Sequence, residues 1–313
     1  MKKTQLFLLF LVAATLVSCT KPDDYGNVLV DINYSINGNT LITDSLCYVN
    51  EAGNQFLITE IQWFLSNIQL LGQDGKWYTL KHLDAMDHST IETEHIFYID
   101  TDIPKSHTLH GQKIPIGHYS KLRFTFGLDE NDNQTGLFSD PPESEMFWPD
   151  VLGGGYHYMK LNGKYLNAED RLAPLAIHLG IGQNNDCTEF YQNYFIVEGP
   201  IDLDVKANTE KHIDLTMVID NWFRYSHTID FNEFGSHIMQ NQAAQQALKE
   251  NGQDVFTWSV FEEPNEKDMK KEEIAQGLNR FMQQAAPKPH FWNWESVKER
   301  FEDSKFKDLK FKI

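Results

Sequence analysis

The chain has 313 residues, of which 41% are hydrophobic and 23% are charged, and this composition excludes a wholly disordered protein. Its 27 basic and 45 acidic side chains give a formal net charge of −18. A surface of that sign repels phosphate backbones, so we expect no nucleic acid among its partners. Aromatic residues make up 13% of the chain, which favours a β-rich core.

The N-terminus has the pattern of a lipoprotein signal peptide over residues 1–18. Two lysines precede the apolar run 6–17, which is too short to span a bilayer, and the run ends in Leu-Val-Ser-Cys at Cys19. The pattern predicts a lipid on Cys19 and a tether over residues 19–26. We therefore expect a lipid anchor in the bacterial envelope, at the outer membrane, with exposure at the cell surface left open. The alternative is an ordinary secretory signal with an incidental Cys19.

Apolar and polar residues alternate along several short segments, as is typical of half-buried strands. The clearest is 28–36, where valine, isoleucine and tyrosine alternate with aspartate, asparagine and serine. Several short strands separated by turns predict a mainly β fold, an antiparallel sandwich-like domain over residues 27–258. The other predicted strands lie at 56–72, 77–80, 95–99, 122–126, 156–161, 175–179, 190–206 and 211–220.

The C-terminal third changes to helical patterns. Residues 236–250 are rich in alanine and glutamine, with Ser236 as a candidate N-cap and Gly252 just beyond the end, which predicts a helix. A charged second helix is predicted over 265–284, and a short third one follows it. The β domain is therefore expected to carry a C-terminal helical segment, continued by a helical extension over residues 259–313.

Two cysteines remain beyond the signal peptide, Cys47 and Cys187. The bacterial envelope is oxidising, so a disulfide between them is favoured. Two free thiols, or thiolate ligands of a metal, are the alternatives.

Four histidines are the candidate metal ligands. His157 directly follows three consecutive glycines, which let the backbone approach a neighbour closely, and His178 lies within an apolar strand. His227 and His237 lie on either side of a short polar segment before the predicted helix. Imidazole suits copper, zinc, iron and nickel, and it binds in its neutral form, so binding should weaken below about pH 6. The alternative for each histidine is a packed residue that hydrogen-bonds within the protein.

No catalytic motif is present in the sequence. It lacks Gly-x-Ser-x-Gly, a Walker Gly-Lys-Ser/Thr and His-Glu-x-x-His, so we expect a protein that is not an enzyme. The acidic loop 129–133 resembles a fragment of a calcium-binding loop, but it lacks the glycine and the terminal glutamate of an EF-hand. A solvated acidic loop is favoured there, and calcium binding is the alternative.

Several separated segments share the motifs of one known family. The segments are Trp63-Phe64-Leu65-Ser66-Asn67-Ile68, Ile116-Gly117-His118-Tyr119, Met146-Phe147-Trp148 with Gly155-Tyr156, Lys160-Leu161-x-Gly163, His178-Leu179-Gly180 and the block from His237 to Phe256. In these segments the chain resembles the MbnP-like copper-binding proteins of bacterial envelopes. The resemblance extends over about residues 26–258, and residues 259–313 lie outside it.

The resemblance implies a copper ion bound for storage, handover or sequestration, without catalysis. By motif position it implies His157 and His178 as ligands, with His227 or His237 as a further donor. Some relatives are thought to carry an oxidised tryptophan, kynurenine, near the metal, and Trp148 occupies that position here. An envelope partner protein would fit such a role.

A second hypothesis needs no metal. Aromatic side chains favour sugars and protein interfaces because they combine apolar area with a polar group. In this interpretation Trp148, Trp222 and residues 259–313 would form a surface that binds a glycan or another protein.

Overall fold

Strand β1, Tyr25–Ile36, has one face on the core because its valines and isoleucines alternate with polar side chains. The structure is a computed structural model, and it describes residues 24–82, 93–184, 186, 188–235 and 238–261. The predicted signal peptide, Cys19, Cys187, His237 and the two predicted helices after residue 261 lie outside the described residues.

An eight-stranded antiparallel sheet surrounds β4, the longest strand. Its main order is β10-β9-β4-β8-β13, and β3, β5 and β6 also pair with β4. The strands are β3 Tyr48–Val49, β4 Gln55–Gly72, β5 Trp77–Thr79, β6 Ile96–Asp100, β8 Gly117–Phe126, β9 Met159–Leu166, β10 Leu172–Leu179 and β13 Phe195–Val205.

A five-stranded sheet faces it, in the order β15-β14-β1-β2, and β7 also pairs with β1, on the edge opposite β14. Its further strands are β2 Asn39–Thr40, β7 Thr108–Pro115, β14 Glu210–Val218 and β15 Phe256–Phe261; a separate hairpin pairs β11 Gly182–Gln183 with β12 Phe190–Tyr191. The predicted mainly β, sandwich-like fold is confirmed. One pair differs from an antiparallel arrangement: β1 and β14 are parallel, with Val30 opposite Ile213. Most of the domain lies between these two strands, which gives the long crossover that a parallel pair requires.

Aromatic side chains fill the space between the two sheets. Trp63 on β4 is fully buried. Its ring centroid lies 6.0 Å from that of Phe126 and 5.5 Å from that of Phe256 on the opposite sheet. Its indole Nε1–H donates to the hydroxyl of Tyr34 on β1 at 2.9 Å. Burying each such ring contributes roughly 1.5–3 kcal/mol, and the hydrogen bond satisfies the one polar atom of the indole. Trp63 and Tyr34 therefore join the two sheets through the core.

The helical segment is shorter than the sequence predicts. Helix α1 is Phe231–Phe234 and helix α2 is Gln242–Asn251. Asn241 caps α2 by accepting a hydrogen bond from the amide of Ala244, so the helix begins there and not at residue 236. The 3-10 turns are Pro104–His107, Glu143–Met146, Asp150–Leu152, Ile219–Phe223, Ile238–Gln240 and Gly252–Asp254.

Strand β15 extends beyond residue 258, where the sequence places the end of the β domain. Its register with β14 runs from Phe256 opposite Met217 to Phe261 opposite His212. Within the described part of the chain, no helix is long and apolar enough to cross a membrane.

Replacing Tyr34 with Phe should lower the free energy of unfolding by about 1–3 kcal/mol, because the buried indole N–H of Trp63 loses its acceptor. Urea denaturation measures the change. Tyr225→Phe is the matched control, since that tyrosine is 63% exposed and its hydroxyl group reaches water. Equal losses in the two variants would contradict a stabilising link between the sheets.

Candidate metal centre

The loop before β9 is folded back by three glycines. Gly153, Gly154 and Gly155 have φ angles of 121°, 72° and 78°, a left-handed conformation that side-chain-bearing residues rarely adopt. The turn lets the amide of Trp148 donate to the carbonyl oxygen of Gly155 at 2.8 Å. The loop thus brings Trp148 close to the residues that begin β9.

The ring of Trp148 packs directly on the backbone of Gly180. It is fully buried, and its Nε1–H donates to the carbonyl oxygen of Leu152 at 3.2 Å. A Cβ atom on residue 180 would lie 2.6 Å from the indole Cδ2 and Cε3 atoms, so only glycine leaves room for the ring. This close approach positions the loop over the end of β10, two residues from His178.

His157 is buried beneath this loop. Its ring centroid lies 4.7 Å from that of Trp148, in an edge-to-face arrangement. The imidazole Nδ1 lies 2.9 Å from the carbonyl oxygen of Met146, and the backbone amide of His157 donates to the same oxygen at 2.6 Å. Because a carbonyl oxygen only accepts hydrogen bonds, Nδ1 carries the proton and Nε2 keeps its lone pair.

His178 lies beside His157. The two ring centroids are 5.2 Å apart, with the ring planes at 81°. The Nε2 atom of His178 lies 2.8 Å from Oδ1 of Asn162 on the neighbouring strand β9. With the amide oxygen as acceptor, His178 carries its proton on Nε2 and keeps a lone pair on Nδ1. The structure therefore brings together Trp148, His157 and His178.

Both imidazoles are neutral at physiological pH. Burial lowers the pKa of His157 to about 3 and that of His178 to about 4, and the nearby charge of Lys160 lowers both further. Neutral imidazole is the form that binds metals. Desolvation keeps this pair unprotonated to lower pH than an ordinary histidine; the expected weakening of metal binding below about pH 6 stays a prediction.

Helix α2 holds the strand end that carries His178. Gln245 is 1% exposed, and its Nε2 donates to the carbonyl oxygens of His178 at 2.9 Å and Ile238 at 3.2 Å. Its Oε1 accepts from the amide of Gly180 at 3.3 Å. One buried amide thus connects β10 to the turn that begins at Ile238, the residue that follows His237.

His227 and Cys47, which the sequence also offers as metal ligands, lie in other surroundings. The imidazole of His227 pairs with the carboxylate of Glu250, and its backbone amide donates to Asn251 at 2.9 Å, at the C-terminal end of α2. It is not brought to the His157–His178 pair. Cys47 is exposed. The predicted disulfide with Cys187 stays a prediction.

The acidic loop uses its oxygen atoms in hydrogen bonds within the protein. Oδ1 of Asp129 accepts from the amides of Asn131 and Asp132, and Asp132 lies 3.0 Å from Nε2 of His95. Among the residues that the structure describes, no group of three or more histidine, cysteine, aspartate or glutamate side chains could hold a metal ion. Calcium binding in this loop stays a prediction.

The tryptophans of the metal-free hypothesis are not at the surface. Trp148 and Trp222 are both fully buried, so neither ring can contact a glycan or a partner in this conformation. That part of the second hypothesis is wrong, because both indoles have large apolar surfaces that the core covers.

The free energy of unfolding should fall as the pH drops from about 6.5 towards 4. The unfolded chain protonates histidine near pH 6.5, while folded His157 and His178 stay neutral to about pH 3 and pH 4, so stability is lost across that window. For His157 the loss at pH 5 is about 2 kcal/mol. Urea denaturation between pH 7 and pH 5 should show that the free energy of unfolding falls less with decreasing pH in His157→Gln than in the wild type. His110→Gln, at an exposed histidine on β7, should show the same fall as the wild type. An equal fall in all three proteins would contradict the burial effect.

Comparison with known proteins gives two matches. No curated protein matches the chain. The solved structure of MbnP from Methylosinus trichosporium is similar with a TM-score of 0.50 at 13% sequence identity, and the match covers 75% of this chain and 99% of that one, which shows a shared fold. The MbnP family model matches residues 25–241, which include the Trp148 loop, His157 and His178. The chain therefore belongs to the MbnP family.

Proposed function

We propose that the protein is a lipid-anchored protein of the bacterial envelope that binds one copper ion, for storage, handover or sequestration and without catalysis. The observation that supports this most is the pair of buried imidazoles, His157 and His178, whose ring centroids lie 5.2 Å apart. Both are neutral, and each has its proton on the nitrogen that hydrogen-bonds to the protein. We propose His157 Nε2 and His178 Nδ1 as the two atoms that bind the metal.

Two neutral nitrogen donors fit copper better than zinc. Structural zinc sites use four protein ligands, and catalytic zinc sites use three. Copper(I) forms stable complexes with two or three donors, and imidazole is one of its ligands in proteins. In this proposal a copper ion held by His157 and His178 is bound without catalysis.

His237 is our candidate for a third donor. It precedes Ile238, whose carbonyl oxygen accepts from the same Gln245 amide that holds the carbonyl of His178. His227 is less suited, because its imidazole is already paired with Glu250. Trp148 lies against the ring of His157, so an oxidation product of this indole would also lie beside the metal.

An apolar rim next to the site suits an envelope partner that delivers or takes the ion. Phe147 is 45% exposed and Val151 is 79% exposed, and both belong to the loop that covers His157. These two side chains are the apolar surface of the loop that we propose such a partner contacts.

Elemental analysis of untagged protein purified with copper should give about one copper ion per chain. The His157→Ala, His178→Ala double variant should lose that ion and stay folded. Variants His110→Ala and His118→Ala, at histidines outside the pair, should keep it. Folded wild-type protein that binds no copper would contradict the proposal and favour a metal-free binding protein; intact mass on the same sample tests oxidation of Trp148.

Asn162 should support binding through His178. Asn162→Leu removes the acceptor of the Nε2–H bond and should weaken copper affinity by about 10–100-fold, the usual effect of losing such a partner. Asn162→Asp keeps an acceptor at this position and should restore most of the affinity. Competition with a copper chelator measures both, and equal affinities of the leucine variant and the wild type would exclude this role.

A further inference from the structure

A single lysine lies beside both imidazoles of the pair. Lys160 on β9 is the cross-strand partner of His178 on one side and of Gln62 on the other. Its Nζ donates to the carbonyl oxygen of Glu145 at 2.7 Å. The next carbonyl along the chain, that of Met146, accepts from His157. Two adjacent carbonyl groups of one 3-10 turn thus fix the ammonium group and the His157 ring.

The charge of Lys160 acts on both histidines. It lowers the pKa of His157 and of His178, in each case after the larger effect of burial. Burial lowers the pKa of Lys160, and the carboxylates of Glu145 and Glu60 act in the opposite direction by favouring its charged form. The hydrogen bonds that favour protonated His157 come from backbone carbonyls, not from carboxylates. A metal ion at the pair would therefore lie close to the side chain of Lys160, which the strand register pairs with His178.

Repulsion from that charge grows in proportion to the charge of the bound ion. A divalent ion feels twice the repulsion of a monovalent one at the same position, so removing the Lys160 charge should favour the divalent ion more. The imidazole ligands alone do not exclude divalent ions. Copper(II) and zinc(II) also bind imidazole well, and copper(II) is the strongest binder of the divalent series.

We infer that Lys160 is a specificity-determining residue that makes the His157–His178 pair favour copper(I) over copper(II) and zinc(II). The inference rests on the proposed copper site. A neutral side chain of similar length, such as glutamine or methionine, would keep the strand pairing and remove the discrimination.

The test measures copper(I), copper(II) and zinc(II) affinities separately, by chelator competition at pH 7, on the full-length protein. Lys160→Gln and Lys160→Met should raise the affinity for each divalent ion by about tenfold or more relative to copper(I). For copper, each tenfold change in that ratio lowers the reduction potential by about 59 mV, the value for a one-electron couple. Lys160→Arg keeps the charge and should keep the wild-type ratio.

Lys164→Gln is the matched control. Lys164 lies on the same face of β9, about 13 Å along the strand, and is exposed, so its charge should leave the ratio unchanged. Equal effects on monovalent and divalent ions in the neutral Lys160 variants would overturn the inference. A wild-type protein that binds zinc(II) as tightly as copper(I) would overturn it without any variant. A wild-type protein that binds no copper(I) would instead contradict the proposed function itself.

Discussion

The contact between the Trp148 indole and the backbone of Gly180 is the constraint on which the site depends. The indole occupies the space that a Cβ atom on residue 180 would fill. The positive φ angles of the glycine run 153–155 allow the loop to reach it. A long loop would otherwise be free to sample many conformations. Held in this way, it delivers His157 to the edge strand that carries His178.

Burial then determines the chemistry of the pair. Removing two imidazoles from water penalises their charged forms, so both stay neutral well below the pH at which an exposed histidine is protonated. The Met146 carbonyl and the Asn162 amide select which nitrogen keeps the proton. Helix α2 stabilises the same strand end from behind through Gln245. The result is a buried pair of neutral imidazoles, each with its proton on the nitrogen that hydrogen-bonds to the protein.

The sequence predicts the parts of the fold that depend on local patterns. Alternation identifies β1 and β8, a short apolar run identifies β10, and the mainly β sandwich follows from the number and spacing of such segments. Strand β7 has no clear alternation, because Gly111 and several polar residues interrupt it, and its pairing with β1 comes from a distant segment. The parallel pairing of β1 with β14 likewise joins the two ends of the domain, which no local pattern reports.

At the site, too, local patterns identify some residues, and others depend on pairing between distant segments. The glycine run and the apolar strand single out His157 and His178, and the structure brings them together. Lys160 and Asn162 escaped sequence reasoning because their importance depends on the register between β9 and β10, although their alternation with Leu161 shows that they share one face. His227 has the right residue type, but a neighbouring glutamate on α2 holds it elsewhere.

A crystal structure of the copper-loaded protein, with anomalous data at the copper edge, tests the central claim most directly. The account predicts one anomalous peak within bonding distance of His157 Nε2 and His178 Nδ1. A peak instead beside a half-buried histidine–carboxylate pair elsewhere, such as His212 with Asp31, would contradict it, as would loaded crystals with no peak at the imidazole pair.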